Sequence, residues 1–272
     1  MSISRSRFAL ATLACVLLAL AGCERSAGQH SALERILGSG ELRVGTTGDF
    51  PPLTMHDRDG QLVGLEVDLV RALAATMNLK VRFVEIPFAE LIPSVERGDV
   101  DLALAGMTIT PERNARVAFA GPYLISGNTL LTRKRELAET QDPAQLDDEK
   151  LTFVTVESST SARFVSTHMP KAKLVTVPNN QSGVKAVLAG EVDGMIADLY
   201  VCTVARWRHP DAELHLRYPP FTTEPLGIAL PADAPLLLNL VANYLNTLEE
   251  TAELAQLKGK WLGDGSWLER SP

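Results

Sequence analysis

Short apolar segments typical of strands alternate with helical segments along most of this chain, and that alternation limits the folds open to it. Glu41 to Thr46 and Lys80 to Ile86 are predicted strands on either side of an amphipathic helix at Val67 to Met77. The same order returns later, with predicted strands at Leu151 to Val156 and Leu174 to Val177. Alternating strands and helices form mostly parallel sheets with helices on both faces. We therefore expect an α/β fold.

Three further segments complete this part of the prediction. Phe88 to Arg97 is predicted as one short helix, Val100 to Leu104 as a strand, and Ala234 to Leu262 as a helical tail. At 46% hydrophobic residues, the chain can fill either one large core or two smaller ones.

One joint between a helix and a strand occurs twice. The segment Glu96-Arg97-Gly98-Asp99-Val100-Asp101 resembles Ala189-Gly190-Glu191-Val192-Asp193-Gly194. Each places a helix end, a capping glycine and an aspartate before an apolar strand. Such joints are common in α/β proteins, so the repeat favours two similar lobes without requiring them. In open α/β sheets, ligands bind beyond the carboxyl ends of the strands.

The N-terminus has the pattern of a secretory signal. Met1 to Arg7 is basic, Phe8 to Leu20 is apolar, and small residues precede Cys23. The apolar run is shorter than a membrane-spanning helix needs. Small residues directly before a cysteine are typical of a bacterial lipobox, in which Cys23 is acylated and anchors the mature chain; a simple signal with a chance cysteine is the alternative. We predict a signal peptide at 1–22, followed by a lipid-anchored linker at 23–33.

The charge and cysteine content exclude several classes of function. Cleavage after residue 22 leaves 250 residues and changes the net charge from −7 to −9, which disfavours nucleic acid. Cys15 leaves with the signal and Cys23 would be acylated, so Cys202 has no partner for a disulfide. None of the five histidines lies at a ligand spacing from another histidine or cysteine. We expect neither a metal ion nor a cofactor.

Several motifs in order resemble bacterial periplasmic solute-binding proteins of family 3, which bind polar amino acids for ABC importers. The resemblance covers about residues 34 to 268. Its motifs are Gly45 to Pro52, Gly64 to Leu69, Phe88 to Pro93, Gly106 to Arg113, Phe119 to Tyr123 and Leu226 to Leu230. Each motif is weak by itself, but the ordered set is specific.

The resemblance implies a two-lobed periplasmic binding protein of type II, with two hinge strands and a ligand cleft between the lobes. Lobe 1 would contain residues 34–127 and 225–268, and lobe 2 with the hinge strands would contain residues 128–224. The implied function is a monomeric, extracytoplasmic lipoprotein that captures a small amino acid or related carboxylate for the membrane subunits of an importer. No catalytic residue is assigned under this interpretation.

The resemblance also implies ligand contacts. Arg113, in the first turn of a helix that Thr110 and Pro111 begin, would bind the α-carboxylate with two parallel hydrogen bonds. Asp198 would bind the α-ammonium. The alternatives are a surface arginine paired with Glu112 or Glu85 and an aspartate that only caps a helix. The remaining predicted ligand contacts are Phe50, Phe88, Gly106, Thr108, Ser159 and Thr160.

Two departures from the family pattern bear on the ligand. Binders of basic amino acids and of glutamine in this family usually carry aspartate where this chain has Thr47, which argues against a cationic side chain unless Asp49 or Glu224 substitutes. The chain also resembles the cyclohexadienyl dehydratase branch, whose lyases act on prephenate or arogenate. Those lyases carry a catalytic glutamate two residues after the loop threonine, and that position here is Ala162.

Two alternative functions therefore stay open. A lyase would need a replacement acid, and Glu157 and Glu224 are the candidates. A sensor input domain would need a separate partner, because little sequence follows Trp267. Binding is the favoured prediction.

Overall fold

The computed structural model describes residues 31–263 and 265–270. The predicted signal peptide at 1–22, the acylation site Cys23 and the linker as far as residue 30 lie outside the described residues. Within the described ranges, no helix combines the length and the apolar character that crossing a membrane requires.

The strands and helices follow the alternating order that the sequence predicts. The strands are β1 (Glu41–Thr46), β2 (Asp49–Phe50), β3 (Thr54–His56), β4 (Leu62–Val63), β5 (Lys80–Glu85), β6 (Leu102–Ala103), β7 (Ala118–Ser126), β8 (Asn128–Thr132), β9 (Thr152–Val156), β10 (Lys173–Val177), β11 (Gly194–Asp198), β12 (His215–Leu216) and β13 (Glu224–Leu230). The α-helices are α1 (Ala32–Ser39), α2 (Leu65–Thr76), α3 (Leu91–Glu96), α4 (Pro111–Asn114), α5 (Arg135–Ala138), α6 (Thr160–His168), α7 (Asn180–Ala189), α8 (Leu199–Arg208), α9 (Pro235–Glu250) and α10 (Glu253–Leu262). Short 3-10 helices occupy Phe88–Glu90, Pro143–Leu146, Pro210–Ala212 and Ser266–Arg270.

The strands form two five-stranded sheets, each of which is the centre of one lobe. The first sheet has the order β5-β1-β6-β13-β7, with β1 parallel to β5 and β6 and β13 antiparallel to its neighbours. We call this sheet lobe 1, together with α1 to α4, α9, α10 and the small sheet β2-β3-β4. The second sheet has the order β10-β9-β11-β8-β12, with β9 parallel to β10 and β11. This sheet and α5 to α8 are lobe 2.

The chain passes between the two sheets twice. Strand β7 of lobe 1 leads directly into β8 of lobe 2, and the chain returns between β12 and β13. Each otherwise parallel sheet thereby contains one antiparallel strand, β13 in lobe 1 and β8 in lobe 2, which lies between the other strands and an edge strand, β7 or β12. The segments that cross lie side by side, because Asn128 N donates a hydrogen bond to Thr222 Oγ1 at 2.9 Å.

The joint that occurs twice in the sequence has the same structure in both lobes. Gly98 and Gly190 end their helices with φ of 72° and 70°, a backbone conformation that glycine adopts without strain. The aspartate that follows accepts a hydrogen bond from the backbone of the neighbouring strand. In lobe 1, Asp101 Oδ2 accepts from Arg43 N at 2.9 Å, and in lobe 2, Asp193 Oδ2 accepts from Thr152 N at 2.6 Å.

Three predicted boundaries are wrong. The single helix at Phe88 to Arg97 is a 3-10 turn followed by α3, because Pro93 has no N–H for the bond to Ala89 that a continuous α-helix would need. The helical tail is two helices, since Ala252 adopts a φ of 61° between them. The strand at Val100 to Leu104 contracts to β6, and the short strands β2 to β4 were not predicted.

Candidate functional site

A cavity lies between the two lobes, and residues from both lobes line it. Lobe 1 contributes the end of β1, the start of β2 and the loop after β6, while lobe 2 contributes the N-terminal ends of α6, α7 and α8. Seven of the eight ligand contacts predicted from the sequence line this cavity: Phe50, Phe88, Gly106, Thr108, Ser159, Thr160 and Asp198.

The lobe 1 wall depends on a glycine and a buried acid. Gly106 has a φ of 61°, and a Cβ there would lie 1.9 Å from Cε1 of Phe50, so only glycine lets this ring pack against the loop. Gly106 N donates to Glu66 Oε1 at 2.8 Å, and the Tyr123 hydroxyl donates to the same oxygen. Burial raises the pKa of Glu66 to about 7. Glu66 therefore holds the loop that carries Gly106.

Arg113 is buried beside the cavity rather than among the residues that line it. Its NH1 donates to the Thr108 carbonyl at 2.9 Å and its NH2 to the Ser158 carbonyl at 3.3 Å, so the guanidinium joins lobe 1 to lobe 2. Its Cζ lies 5.3 Å from the ring centroid of Phe88, which does line the cavity. Burial lowers the pKa of Arg113 to about 10, and the side chain is still a cation at neutral pH. Its role as the carboxylate partner stays a prediction.

The lobe 2 wall consists of helix N-termini with hydroxyl and carboxylate caps. Ser159 Oγ accepts from Ala162 N at 3.1 Å and thereby caps α6. Asp198 Oδ1 accepts from Tyr200 N at 2.8 Å and caps α8. Desolvation raises the pKa of Asp198 to about 7, although the bond from Tyr200 opposes the shift. Free backbone N–H groups at a helix start attract anions, whereas the Asp198 carboxylate attracts a cation.

Asn128 and Glu224 form a polar cluster at the hinge side of the cavity. Glu224 Oε1 accepts from Asn128 Nδ2 at 2.9 Å and from Thr222 Oγ1 at 2.7 Å. Asn128 Oδ1 in turn accepts from Ser161 Oγ at 2.5 Å. Sequence reasoning overlooked Asn128, although an amide at the start of the buried strand β8 was a usable signal.

The candidate replacement acids differ in their surroundings. Glu157 is exposed and is absent from the cavity wall, whereas Glu224 is 8% exposed and lines the cavity. Ala162 is half-buried in the first turn of α6 and does not line the cavity. Glu224 is therefore the candidate acid that a molecule in the cavity would meet.

Direct contacts between the lobes close the mouth of the cavity. Asp49 Oδ2 of lobe 1 accepts from Asn180 N, the first residue of α7, at 2.7 Å. Desolvation raises the pKa of Asp49. An ion pair joins Glu112 to Arg163, and the hydroxyls of Thr108 and Thr160 lie 3.4 Å apart.

The described residues contain no group of three His, Cys, Asp or Glu side chains that could hold a metal ion. Cys202 is a buried thiol without a disulfide, and burial raises its pKa well above the ordinary value. A buried neutral thiol of this kind is inert.

The chain has two lobes around a cavity, and each lobe consists of a mixed parallel and antiparallel sheet with helices packed against it. This arrangement defines the type II periplasmic binding protein fold. Residues 42–264 match the model of the bacterial extracellular solute-binding proteins, family 3. The chain belongs to this family, as its motifs predict.

Relatives within the family include both binding proteins and an enzyme. A cyclohexadienyl dehydratase from Pseudomonas aeruginosa is 29% identical over 256 residues, which cover 94% of each chain. The structure of an ancestral amino acid-binding protein, a precursor of cyclohexadienyl dehydratase, matches with a TM-score of 0.77 and 33% identity, over 85% of this chain and 99% of that chain. A Wolinella succinogenes protein crystallised with lysine matches with a TM-score of 0.80 and 32% identity, over 85% and 99% of the two chains.

Proposed function

We propose that this protein is an extracytoplasmic solute-binding lipoprotein that captures a small amino acid for an ABC importer. The observation that carries the proposal is the cavity between the lobes, where the Asp198 carboxylate and the N-terminus of α6 face one enclosed space. A carboxylate suits the ammonium of an amino acid, and free backbone N–H groups suit its carboxylate. The amino acid-binding ancestor and the lysine-bound relative support this ligand class.

In this proposal Asp198 binds the α-ammonium and Arg113 binds the α-carboxylate. Arg113 would exchange the Ser158 carbonyl for the ligand carboxylate, a stronger acceptor because it is charged. Phe50 and Phe88 would cover the apolar part of the ligand, while Gly106, Thr108, Ser159 and Thr160 supply polar contacts. Ligands that contact both lobes stabilise the closed arrangement through their differential affinity.

Calorimetric titration with the common amino acids, prephenate and arogenate tests this function. We expect saturable binding of at least one amino acid. Asp198→Asn should weaken that binding by roughly 2–5 kcal/mol, because asparagine keeps the helix cap but removes the charge. Asp142→Asn is the matched control, since Asp142 caps a 3-10 helix and does not line the cavity. An affinity that does not change in Asp198→Asn would refute the assignment of Asp198 as the partner of the ammonium.

The proposed domain arrangement divides the chain at the two crossings. Residues 34–127 with 225–268 would move as one lobe, and residues 128–224 as the other, because closure around a ligand needs a hinge. Pairing of β13 with β6 and β7 supports this division. Small-angle scattering should detect a more compact particle with ligand than without it, and an unchanged radius of gyration would contradict hinge closure.

The lipid anchor is proposed from the sequence at Cys23. Radioactive palmitate should label the wild type, which should fractionate with bacterial membranes. Cys23→Ser should release the chain into the soluble extracytoplasmic fraction, because one acylation site then disappears. Unchanged membrane association of the variant would reject the lipoprotein proposal. We further propose that the protein acts as a monomer beside the membrane subunits of the importer.

A lyase activity is the second candidate, and the similarity to cyclohexadienyl dehydratase over 94% of both chains favours considering it. It requires a proton donor beside the leaving oxygen. Ala162 occupies the position at which the dehydratases carry their glutamate, so Glu224 would have to replace it. We expect no product from prephenate or arogenate above the buffer rate. Turnover that Glu224→Gln abolishes would reverse the choice.

A further inference from the structure

We propose that Glu224 makes this cavity selective for amino acids that carry a second positive group, in other words basic amino acids. The proposal rests on the proposed function, because it assumes that the α-ammonium binds at Asp198. It assigns the second charge to the hinge side of the cavity rather than to the lobe 1 position at Thr47.

The Glu224 carboxylate is held in place by neutral donors only. Its Oε1 accepts from Asn128 Nδ2 and Thr222 Oγ1, and Oε2 has no hydrogen-bond partner among the residues that the structure describes. The side chain forms no ion pair with any lysine, arginine or histidine in the same part of the chain. Arg113 is close enough for its pKa to respond to the Glu224 charge, yet its guanidinium donates to two backbone carbonyls. Glu224 thus has one fixed oxygen and one that is available.

An unpaired carboxylate at this depth is unfavourable unless something compensates it. Removing a charge from water without a counter-ion destabilises a folded protein. Glu224 is 8% exposed and lines the cavity, as do Asp49 and Asp198, whereas no lysine or arginine lines it. A ligand ammonium at Asp198 would neutralise only one of these carboxylates. A second cationic group on the ligand would compensate another.

Asp49 is not available for that second group. Its Oδ2 accepts the backbone N–H of Asn180 at the start of α7, so this carboxylate already has a partner in the opposite lobe. The positive end of the α7 dipole stabilises it there. Of the two acids that could substitute for an aspartate at position 47, Glu224 is the one that is not bound to the N-terminus of a helix.

The two acids both lie next to Asn128. Asn128 is the cross-strand partner of Asp198 in the pairing of β8 with β11, and its side-chain amide donates to Glu224. Asp198 and Glu224 are therefore both neighbours of Asn128, and the charge of Glu224 contributes to the raised pKa of Asp198. An amino acid with an ammonium at one end and a guanidinium or ammonium at the other can contact both.

The test compares arginine with citrulline and lysine with norleucine, two pairs that match in shape but differ in charge. Calorimetry on wild type should give at least about tenfold tighter binding of the basic member of each pair. Glu224→Gln should weaken the binding of arginine by roughly 10- to 100-fold and the binding of citrulline by less than about threefold. The reason is that glutamine keeps an oxygen that accepts from Asn128 but loses the charge. Glu191→Gln, an exposed residue of lobe 2 with the same change in charge, should leave both ligands unaffected.

The outcomes separate this inference from the proposed function. If citrulline and norleucine bind the wild type as tightly as arginine and lysine do, the proposed selectivity is overturned, while the proposal of amino-acid capture stands. An unchanged ratio of arginine to citrulline in Glu224→Gln would also overturn it, as would a ratio that collapses in Asp49→Asn instead. Absence of binding by every amino acid would defeat the proposed function itself. The wild-type ligand pairs decide the question even if Glu224→Gln does not fold.

Discussion

Lobe 1 and lobe 2 contain the same joint between a helix and a strand, but they anchor it with different partners. In lobe 1, Asp101 is 2% exposed, and the Arg43 guanidinium binds both of its oxygens, at 3.2 Å from Nε and 2.6 Å from NH2. In lobe 2, the Asp193 side chain is 17% exposed and Lys134 Nζ contacts a single oxygen at 2.5 Å. A planar fork fixes a carboxylate, whereas an ammonium on a flexible stem attracts it as a point charge. The same local sequence thus gives a more rigid joint in lobe 1.

The largest expected effect tests this difference directly. Asp101→Ala should lower the free energy of unfolding by about 3–5 kcal/mol. The reason is that the backbone N–H and the guanidinium of Arg43 both lose the carboxylate that accepts their hydrogen bonds. Asp193→Ala should lower it by about 1–2 kcal/mol, since Lys134 can return to water. Urea unfolding monitored by circular dichroism measures both. Equal losses would mean that burial and fork geometry do not distinguish the joints.

The lobes also differ in the charge that they bring to the cavity, since lobe 1 places the Arg113 cation beside it and lobe 2 the Asp198 carboxylate. Substitution of Arg113 tests this difference. Arg113→Ala should weaken amino-acid binding by about 2–4 kcal/mol, because the variant loses the cation for the ligand carboxylate and the bond to Ser158 of lobe 2. Arg116→Ala is the matched control, since Arg116 pairs with Glu96 on the surface of lobe 1. Titration calorimetry that gives wild-type affinity for Arg113→Ala would remove this residue from the site.

One acid in each lobe has a pKa near neutrality, which allows a comparison by pH. Glu66 and Asp198 both titrate at about 7 when folded, above their ordinary values of 4.5 and 3.8. Because the folded pKa is raised, each group contributes stability that is fully present below pH ~4 and is lost as the pH rises through ~7, and the loss between about pH 5 and about pH 8 is roughly 3 kcal/mol per group. The ligand-free protein should therefore be harder to unfold with urea at about pH 5 than at about pH 8.

Ligand binding should distinguish the two acids. An ammonium favours ionised Asp198, so affinity should rise as the pH rises from about 5 to about 8, and Asp198→Asn should abolish this rise. Glu66→Gln should reduce the pH dependence of unfolding yet leave that of binding, because Glu66 bonds to Gly106 and Tyr123 rather than to ligand. A pH-independent affinity in wild type would contradict the ionic role of Asp198.

The smallest effect concerns the contacts that join the lobes at the cavity mouth. Arg163→Ala should weaken ligand binding by at most about 0.5 kcal/mol, because Arg163 and Glu112 are about half exposed. Asp49→Asn should weaken it by about 1 kcal/mol, since Asp49 is a charged cap on α7 with little access to water. Parallel titrations of the two variants measure the difference, and the reverse order would show that the surface ion pair holds the lobes together.

Local sequence was sufficient for the elements whose signals are local. The Thr110 cap and the glycine at 190 were predicted from neighbouring residues, and the Asp198 cap was one of the two roles considered, because capping bonds join residues two or three apart. The boundary errors arose where a single residue overrode a periodic pattern, as Pro93 does in the segment at 88–97. The ordered motifs also predicted the family correctly.

The sequence by itself therefore determined the α/β alternation, the repeated joint, the family and several of the helix termini that line the cavity. Only the tertiary structure decided which acids share that cavity and which are already engaged. Glu66 meets Tyr123 across 57 positions, Asn128 meets Glu224 across 96, and Asp49 meets Asn180 across 131. Such contacts depend on how two sheets are placed by two chain crossings. A periodic pattern reports which side of an element faces a core, but not which distant side chain it meets there.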